Sequence, residues 1–241
     1  LHTDCMSYMR GLPDKAFDIA VTSPPYNQIA HSPGGGILKG SITDAKLSSG
    51  YASHSDDMPE AEYQAWMNDM LGELLRVCKG LVWINHKVRY RNKKGIHPIR
   101  FFNHEFHTEV IWNRKCSLTV NALRYMPCHE HIYGFGKPHF WDRCNDMLGT
   151  VWDIHPTPQG LDHPCPFLPI IPERLIQSSC PPDGTVFDPF AGTGTTGIAA
   201  ISTGRSFVGC EIDAGYHKDA VKRLADHQAQ PRLFAPEVKP P

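Results

Sequence analysis

The sequence predicts an α/β fold in which strands and helices alternate along the chain. Short apolar segments rich in β-branched residues alternate with segments of helical periodicity. Two of the predicted strands end abruptly in unusual turns, one in Ser-Pro-Pro-Tyr at 23–26 and the other in Asp188 followed by a Gly-x-Gly turn. Because ligands bind at the carboxyl edge of open α/β sheets, both turns are candidate site elements.

Composition limits the possible classes of protein. The chain has 241 residues, 41% hydrophobic and 20% charged, which suits a globular domain with its own core. The net charge of −1 argues against a broadly basic surface but allows a local basic face. No apolar run approaches the roughly 20 residues of a membrane span. Without a secretory pattern or disulfide-framework spacing, the eight cysteines are expected to be reduced thiols in a cytoplasmic protein.

The first half of the chain predicts two strands joined by a loop and a helix. After a short amphipathic segment at 7–12, the strand at 17–21 stops at Ser23, because two prolines lack the N–H groups that a strand ladder needs. The polar segment 28–58 is rich in Gly and Ser, and its position predicts a mobile loop over a ligand site. A helix then begins at 59–60 and ends at Gly80, before a strand at 81–84.

The second half predicts further strands and helices in alternation. Pro172 suits the first turn of a helix, because its missing N–H has no partner there in any case. The predicted strands are 109–112, 130–135, 151–154, 184–188 and 206–210, and the predicted helices are 172–179, 195–203 and 216–227.

A basic run comes after the strand at 81–84. Six of the fourteen residues from 87 to 100 are Lys or Arg, in a chain that is otherwise neutral. Such a run is commonly a solvated loop. Its alternation with aromatic residues, next to a candidate site, favours contacts with nucleic-acid phosphates. The candidate DNA-binding residues are Lys87, Arg89, Arg91, Lys93, Lys94 and Arg100.

The glycine-rich turn predicts a nucleoside pocket. Glu211 lies 19 positions after Gly192, at the end of the next strand, where a carboxylate meets the two hydroxyls of a ribose. A phosphate-binding P-loop is excluded because Thr195, and not Lys, comes after Gly194. The spacing alone leaves a dinucleotide open. Asp188 would repel a pyrophosphate and attract a cation such as the sulfonium of S-adenosylmethionine.

Together the two motifs resemble the DNA amino-methyltransferases of the permuted β class. That family has an (Asp/Asn/Ser)-Pro-Pro-aromatic motif near the N-terminus and Asp-Pro-Phe-x-Gly-x-Gly-Thr-Thr near the C-terminus, as at 23–26 and 188–196 here. The segments 3–5, 163–167 and 204–212 also resemble family motifs, with Thr3 and Leu168 as mild departures. The resemblance implies a Rossmann-like S-adenosylmethionine-dependent methyltransferase fold, with a mostly parallel central sheet and one antiparallel strand.

The resemblance also implies an organisation and a set of site residues. Residues 1–241 would form a single catalytic domain in permuted order, with small target-recognition segments at 86–106 and 113–162. The catalytic set is Ser23, Pro24, Pro25 and Tyr26. The cofactor set is Asp4, Cys5, Pro166, Phe167, Asp188, Pro189, Phe190, Gly192, Gly194, Thr195, Thr196 and Glu211.

The implied reaction is methylation of an exocyclic amino nitrogen on a flipped base. Ser23 Oγ and the Pro24 carbonyl would accept the two amino hydrogens, and Tyr26 would stack on the base. The Ser-Pro-Pro-Tyr form favours cytosine N4, with adenine N6 as the alternative. Cytosine C5 chemistry is not expected, because neither Pro-Cys pair, at Cys128 or Cys165, comes after a cofactor strand in the required arrangement.

The same resemblance implies a set of partners. We expect S-adenosyl-L-methionine as cofactor and double-stranded DNA as substrate, with a restriction endonuclease acting on the same site and a homodimer as further candidates. No membrane partner is expected. No metal site is expected, because Cys128 and His131 lack a second pair at finger-like spacing. A non-catalytic S-adenosylmethionine- and DNA-binding subunit, and methylation of RNA or of a protein amide, stay open.

Overall fold

Five α-helices and nine strands occur in the residues that the computed structural model describes, which are 1–27, 58–91, 94–115, 125, 127–142, 149–155 and 168–230. The helices are α1 (Cys5–Arg10), α2 (Glu60–Val77), α3 (Ile170–Ser179), α4 (Thr195–Ser202) and α5 (Ala214–Ala229). The strands are β1 (Ile19–Thr22), β2 (Val82–His86), β3 (Arg89–Arg91), β4 (Lys94–Ile96), β5 (Phe106–Asn113), β6 (His129–Phe135), β7 (Val151–Asp153), β8 (Thr185–Asp188) and β9 (Ser206–Gly209).

Seven of these strands form one sheet in the order β7-β5-β6-β2-β1-β8-β9. Strand β1 runs parallel to β2 and β8, β8 to β9, and β5 to β7, whereas β6 is antiparallel to both β2 and β5. The predicted mostly parallel sheet with one antiparallel strand is therefore confirmed. The basic run differs from the expected loop, because β3 and β4 form a separate antiparallel hairpin within it.

The sheet is covered by apolar residues on both faces, as parallel sheets require. Along β1, Ala20 packs into the cluster formed with α1 and α2, while Ile19 and Val21 pack into the cluster formed with α3 and α4. One face of α2 contributes to the core through Tyr63, Met67, Met70, Leu71, Leu74 and Val77, which are all buried.

Three helices, α1, α3 and α5, begin earlier than predicted, and an aspartate caps two of them. The Asp4 carboxylate accepts a hydrogen bond from Ser7 N at 2.8 Å, and α1 therefore begins at Cys5. The Asp213 carboxylate accepts one from Tyr216 N at 2.9 Å, and α5 begins at Ala214. Such caps satisfy backbone donors that the first helical turn leaves unpaired.

Parts of the predicted organisation lie outside the described residues. These parts are 28–57 of the expected mobile loop, and 116–124, 126, 143–148 and 156–162 of the second recognition segment. None of the helices in the described ranges is both long and apolar enough to cross a bilayer.

Gly197, in the first turn of α4, allows that helix to approach β9 and α5 closely. A Cβ at this position would lie 2.7 Å from the Phe207 ring and 2.8 Å from Leu224 Cδ2. We expect Gly197→Ala to lower the free energy of unfolding by about 1–3 kcal/mol, the usual cost of overpacking. Urea denaturation measures the change. Gly72→Ala is the matched control: it meets nothing within 4 Å in α2 and should gain about 0.5–1 kcal/mol. Equal effects at the two positions would contradict the packing argument.

Candidate active site

The two sequence motifs meet at the carboxyl edge of neighbouring parallel strands. Strands β1 and β8 pair in the register Ile19↔Val186 and Ala20↔Phe187. At their ends, Thr22 Oγ1 donates a hydrogen bond to Asp188 Oδ1 at 2.7 Å, and both side chains are buried. This contact joins residues 166 positions apart. Ser23, the next residue after Thr22, therefore begins the first motif directly beside the second.

The Ser-Pro-Pro-Tyr turn is held from beneath by a chain of hydrogen bonds. Tyr63 Oη donates to the Pro25 carbonyl at 2.8 Å and lies 2.8 Å from His86 Nε2. The Lys87 backbone N–H donates to His86 Nδ1 at 2.9 Å. Burial lowers the pKa of His86 to about 3, so its ring is neutral. Because Tyr63 donates its single hydroxyl hydrogen to the Pro25 carbonyl, we assign the ring proton of His86 to Nε2, which donates it to Tyr63 Oη.

Asn27, directly after the turn, ties it to the start of α2. Its backbone has a φ of 54°, in the left-handed region that asparagine tolerates better than most residues. The side-chain amide donates to the Met58 carbonyl at 3.0 Å and accepts from Met58 N at 2.7 Å. The two ends of segment 28–57 are thereby brought together beside Tyr26.

The Tyr26 hydroxyl lies in a polar network that the sequence analysis missed. It is 2.7 Å from Ser23 Oγ, donates to Glu130 Oε2 at 3.2 Å and accepts from Asn85 Nδ2 at 2.7 Å. Asn85 Nδ2 also donates to Glu130 Oε2 at 2.8 Å, and Arg114 Nη1 lies 3.2 Å from Glu130 Oε1. Asn85, Glu130 and Arg114 are all buried. The acidic Glu130, near the start of a strand that is buried along most of its length, was the one sequence feature that could have pointed to this network.

The Tyr26 ring is contacted by its neighbours in β2 and just beyond. Lys87 Nζ lies 4.8 Å from the ring centroid, and the His86 ring centroid lies 4.9 Å away at an interplanar angle of 49°. These contacts, together with the bound hydroxyl, fix the orientation of the ring at the strand edge. One predicted DNA-binding residue, Lys87, therefore lies next to the Ser-Pro-Pro-Tyr motif.

Asp188 is a buried carboxylate held by three donors. Besides Thr22, Phe190 N donates to Oδ1 at 3.0 Å and the Thr196 side chain forms a further hydrogen bond. Burial raises the pKa of Asp188 to about 6, although these hydrogen bonds act to lower it. Phe190 itself packs edge-on against Trp66 of α2, with ring centroids 5.6 Å apart.

The glycine turn brings Glu211 against the start of α4. Gly192 and Gly194 have φ values of 52° and 83°, a backbone conformation that glycine adopts without strain. Glu211 Oε2 accepts from Gly192 N and Oε1 from Asp213 N, each at 2.8 Å. Each oxygen keeps a lone pair for one further donor. Ile212, next along the chain and 49% exposed, adds an apolar surface that the sequence analysis did not single out.

The remaining cofactor candidates divide into four cases. Pro189 and Thr195 are buried, the first directly after β8 and the second at the start of α4. Asp4 is exposed and is brought near Glu211 by the hydrogen bond from Thr3 N to the Glu211 carbonyl at 3.1 Å. The Cys5 thiol differs from the expectation, because it packs in the core, where burial raises its pKa to about 12. Pro166 and Phe167 lie outside the described residues.

The predicted DNA-binding residues differ in their exposure to solvent. Lys94 and Arg100 are exposed, and Lys93 lies outside the described residues. Arg89 needs a correction: it is 1% exposed, donates to both Glu60 oxygens at 2.8 Å and lies over the Tyr63 ring. Both terminal nitrogens of this guanidinium are bound to Glu60 inside the fold, so Arg89 cannot reach a phosphate. Arg91 is half-buried and donates to the Asn27 and Met58 carbonyls.

Comparison with known proteins decides the family. A family model described as DNA methylase, for the N6 and N4 methyltransferases, matches residues 17–222. The chain belongs to this family. It is therefore a DNA methyltransferase that acts on amino nitrogens.

Individual relatives agree with this family. The DNA adenine methyltransferase YhdJ of Escherichia coli K12 is 38% identical over 97% of this chain and 85% of its own length. Two solved structures share the fold. The PvuII cytosine-N4-specific DNA methyltransferase is 17% identical, with a TM-score of 0.71 over 97% of this chain and 86% of its own. The M1.HpyAVI complex with S-adenosylmethionine is 20% identical, with a TM-score of 0.61 over 93% and 98%.

Proposed function

We propose that this DNA methyltransferase transfers a methyl group from S-adenosylmethionine to cytosine N4 of a base flipped out of double-stranded DNA. The observation that carries the proposal is the Thr22–Asp188 hydrogen bond. It supports a site in which a methyl donor bound along β8 and a base bound against Ser23 and Tyr26 meet at one sheet edge.

The residues of the second motif fit S-adenosylmethionine. Each Glu211 oxygen has one backbone donor and capacity for one ribose hydroxyl. Asp188 supplies a negative charge suited to the cationic groups of the cofactor. When bound, the cofactor supplies an electrophilic methyl group on a sulfonium.

The first motif would prepare the amino nitrogen for attack. Its lone pair is delocalised into the base ring, which makes it a poor nucleophile. Ser23 Oγ and the Pro24 carbonyl would each accept one amino hydrogen, concentrating the lone pair on nitrogen and directing it at the methyl group. Tyr26 would hold the flipped base by stacking.

The target base is the finer part of the proposal. Ser23 is a neutral acceptor, and the Ser-Pro-Pro-Tyr form resembles the cytosine-N4 members of the family. Adenine N6 is the second candidate, favoured by 38% identity to a relative named as a DNA adenine methyltransferase.

Transfer of a labelled methyl group tests the function. We expect the protein to move tritium from S-adenosylmethionine to duplex DNA, and nucleoside mass spectrometry to detect N4-methylcytosine. N6-methyladenine would support the second candidate. Cofactor binding without incorporation of label into any duplex would support the non-catalytic subunit. Incorporation only into RNA or protein would show that the substrate is RNA or protein and not DNA. Sequencing the modified DNA then identifies the recognition site.

The proposal includes two partners. A restriction endonuclease acting on the same sequence should be blocked by DNA that this protein has methylated. A homodimer should appear as twice the chain mass of 27.0 kDa in light scattering.

DNA binding through phosphates should depend on Lys94 and Arg100. Both are exposed in the basic run. We expect the Lys94→Ala, Arg100→Ala double variant to weaken binding to all duplexes and to reduce the slope of log affinity against log salt by about 2, roughly 1 per phosphate contact. Fluorescence anisotropy across a salt series measures the slope.

Lys222→Ala is the matched control, since it removes an exposed charge from α5, which lies outside the basic run. An unchanged slope in the double variant would remove this run from the DNA contacts. Arg89→Met should instead lower stability, by about 1–3 kcal/mol, because the Glu60 carboxylate loses two hydrogen bonds and keeps only Gln64 and Arg91 beside it.

A further inference from the structure

The hydrogen bonds that link Ser23, Tyr26 and Glu130 can be assigned a donor and an acceptor at each step. Glu130 is 3% exposed, and its carboxylate accepts from Tyr26 and Asn85 on Oε2 while Arg114 lies against Oε1. Tyrosine has a single hydroxyl hydrogen, and here it is donated to Glu130. In the 2.7 Å contact between Ser23 and Tyr26, Ser23 must therefore be the donor. The lone pairs of Ser23 Oγ are left for a donor outside the network.

This direction matches what a target amino group needs. An amino N–H would donate to Ser23 Oγ, Ser23 O–H donates to Tyr26 Oη, and Tyr26 O–H donates to Glu130 Oε2. Every hydrogen bond then points from the base toward one buried carboxylate. Aligned hydrogen bonds polarise one another, so Ser23 becomes a better acceptor than an isolated hydroxyl.

We propose that Glu130 is the final acceptor of the proton that the target amino group loses on methylation, reached through Ser23 and Tyr26. The inference rests on the proposed amino-methyl transfer and adds to it a destination for the proton. Glu130 touches no reacting atom and acts only through the two hydroxyls. Arg114 and Asn85 hold the carboxylate in place.

The step balances in atoms and charge. The amino nitrogen uses its lone pair to bond the methyl carbon of the sulfonium donor, and the carbon–sulfur bond breaks with its electron pair left on sulfur. The nitrogen then carries a positive charge and a surplus proton. That proton passes to Ser23 Oγ as the Ser23 proton passes to Tyr26 Oη and the Tyr26 proton to Glu130 Oε2. Both hydroxyls are restored and Glu130 becomes neutral. After the product leaves, the reverse sequence returns the proton to water at Ser23.

The arrangement contains more than a structural ion pair would need. Arg114 lies against Oε1, whereas Oε2 accepts hydrogen bonds from Tyr26, which belongs to the motif, and from Asn85, which contacts Tyr26. Glu109, one strand away in β5, offers a comparison. Its Oε1 pairs with His131 Nδ1 at 2.8 Å, and none of its described contacts reaches the motif.

Single-turnover methyl transfer tests the proposal, using duplex DNA that carries the site identified for the wild-type protein. Tyr26→Phe removes the relay hydroxyl and keeps the ring, and Glu130→Gln removes the acceptor. We expect each variant to transfer methyl about 100-fold more slowly, within the range of general acid–base effects. The double variant should be no slower than either single one, because both break the same relay.

Binding is measured in parallel, because a purely structural role would change it. Cofactor affinity by calorimetry, and base extrusion by fluorescence of 2-aminopurine at the target position, should match the wild-type values in both single variants. Glu109→Gln is the control and should keep the wild-type transfer rate.

Each adverse outcome has a distinct meaning. Wild-type transfer rates in Glu130→Gln or Tyr26→Phe would overturn the relay, as would additive losses in the double variant. Loss of cofactor binding or base extrusion equal to the loss of rate would make Glu130 structural. Absence of transfer by the wild-type protein would overturn the proposed function itself.

Discussion

Ser23→Ala is expected to slow methyl transfer by at least about 100-fold, comparable to losing one member of an oxyanion hole. Alanine removes the Oγ that would accept an amino hydrogen and that begins the hydrogen-bond chain to Tyr26. The amino lone pair would then stay delocalised in the base ring, and its orientation toward the methyl group would rest on the Pro24 carbonyl alone.

The loss should appear in the transfer rate and not in cofactor affinity, because Ser23 belongs to the base side of the site. Tritium incorporation at saturating cofactor measures the rate, and calorimetry measures the affinity. Ser206→Ala, which removes an exposed hydroxyl at the start of β9, is the control and should behave as wild type. A Ser23→Ala protein that retained its rate would show that Ser23 accepts no amino hydrogen.

Asp188→Asn is expected to weaken cofactor binding by at least about tenfold at pH 7.5, because in the proposed site the charge of Asp188 attracts the cationic cofactor. The variant should fold. Thr22 and Phe190 N both donate to Oδ1, which asparagine retains, and the new amide N–H can be accepted by the Thr196 hydroxyl. Calorimetric titration with S-adenosylmethionine measures the affinity, with Asp226→Asn, an exposed carboxylate of α5, as control.

The same substitution should stabilise the protein at neutral pH. Burial raises the folded-state pKa of Asp188 to about 6, above the ordinary value of 3.8. The folded protein therefore holds this proton more tightly than the unfolded chain, and wild-type stability falls as pH rises from about 4 to about 6. At pH 7.5 the ionised, buried form costs about 3 kcal/mol by linkage, which asparagine avoids.

Denaturation across this pH range tests the sign. The stability advantage of Asp188→Asn over wild type should grow from pH 4 to pH 7 and then level off. Wild-type cofactor affinity should fall as pH drops below about 6, because protonation removes the charge. A variant that bound cofactor as wild type does, or an advantage independent of pH, would argue against this role of Asp188.

The local sequence was enough to predict the strand ends and turns at both motifs. An apolar strand ending in two prolines at 24–25, and a strand ending in Asp188 before a glycine turn, each indicate where a strand stops and which turn comes next. The first residues of the helices were predicted less accurately, because the N-caps Asp4 and Asp213 lie outside the apolar periodicity that marks a helix.

The basic run shows where sequence reasoning ended. Arg89 and Lys94 look alike within 87–100, but one is buried and the other exposed. The difference is due to Glu60, which lies 29 positions away and becomes a neighbour only when α2 packs beside β3. No local pattern could have told a buried ion pair from a phosphate contact.

The sequence by itself determined the fold class, the two motifs and the family, because each depends on residues close together along the chain. Only the tertiary structure decided what surrounds Ser23. Asn85, Arg114 and Glu130 come from three separate segments, and they meet because antiparallel β6 lies between β2 and β5. Strand order is set by packing over the whole sheet. The contact of the buried Glu130 carboxylate with the Tyr26 hydroxyl, and through it with Ser23, therefore forms only in the folded protein.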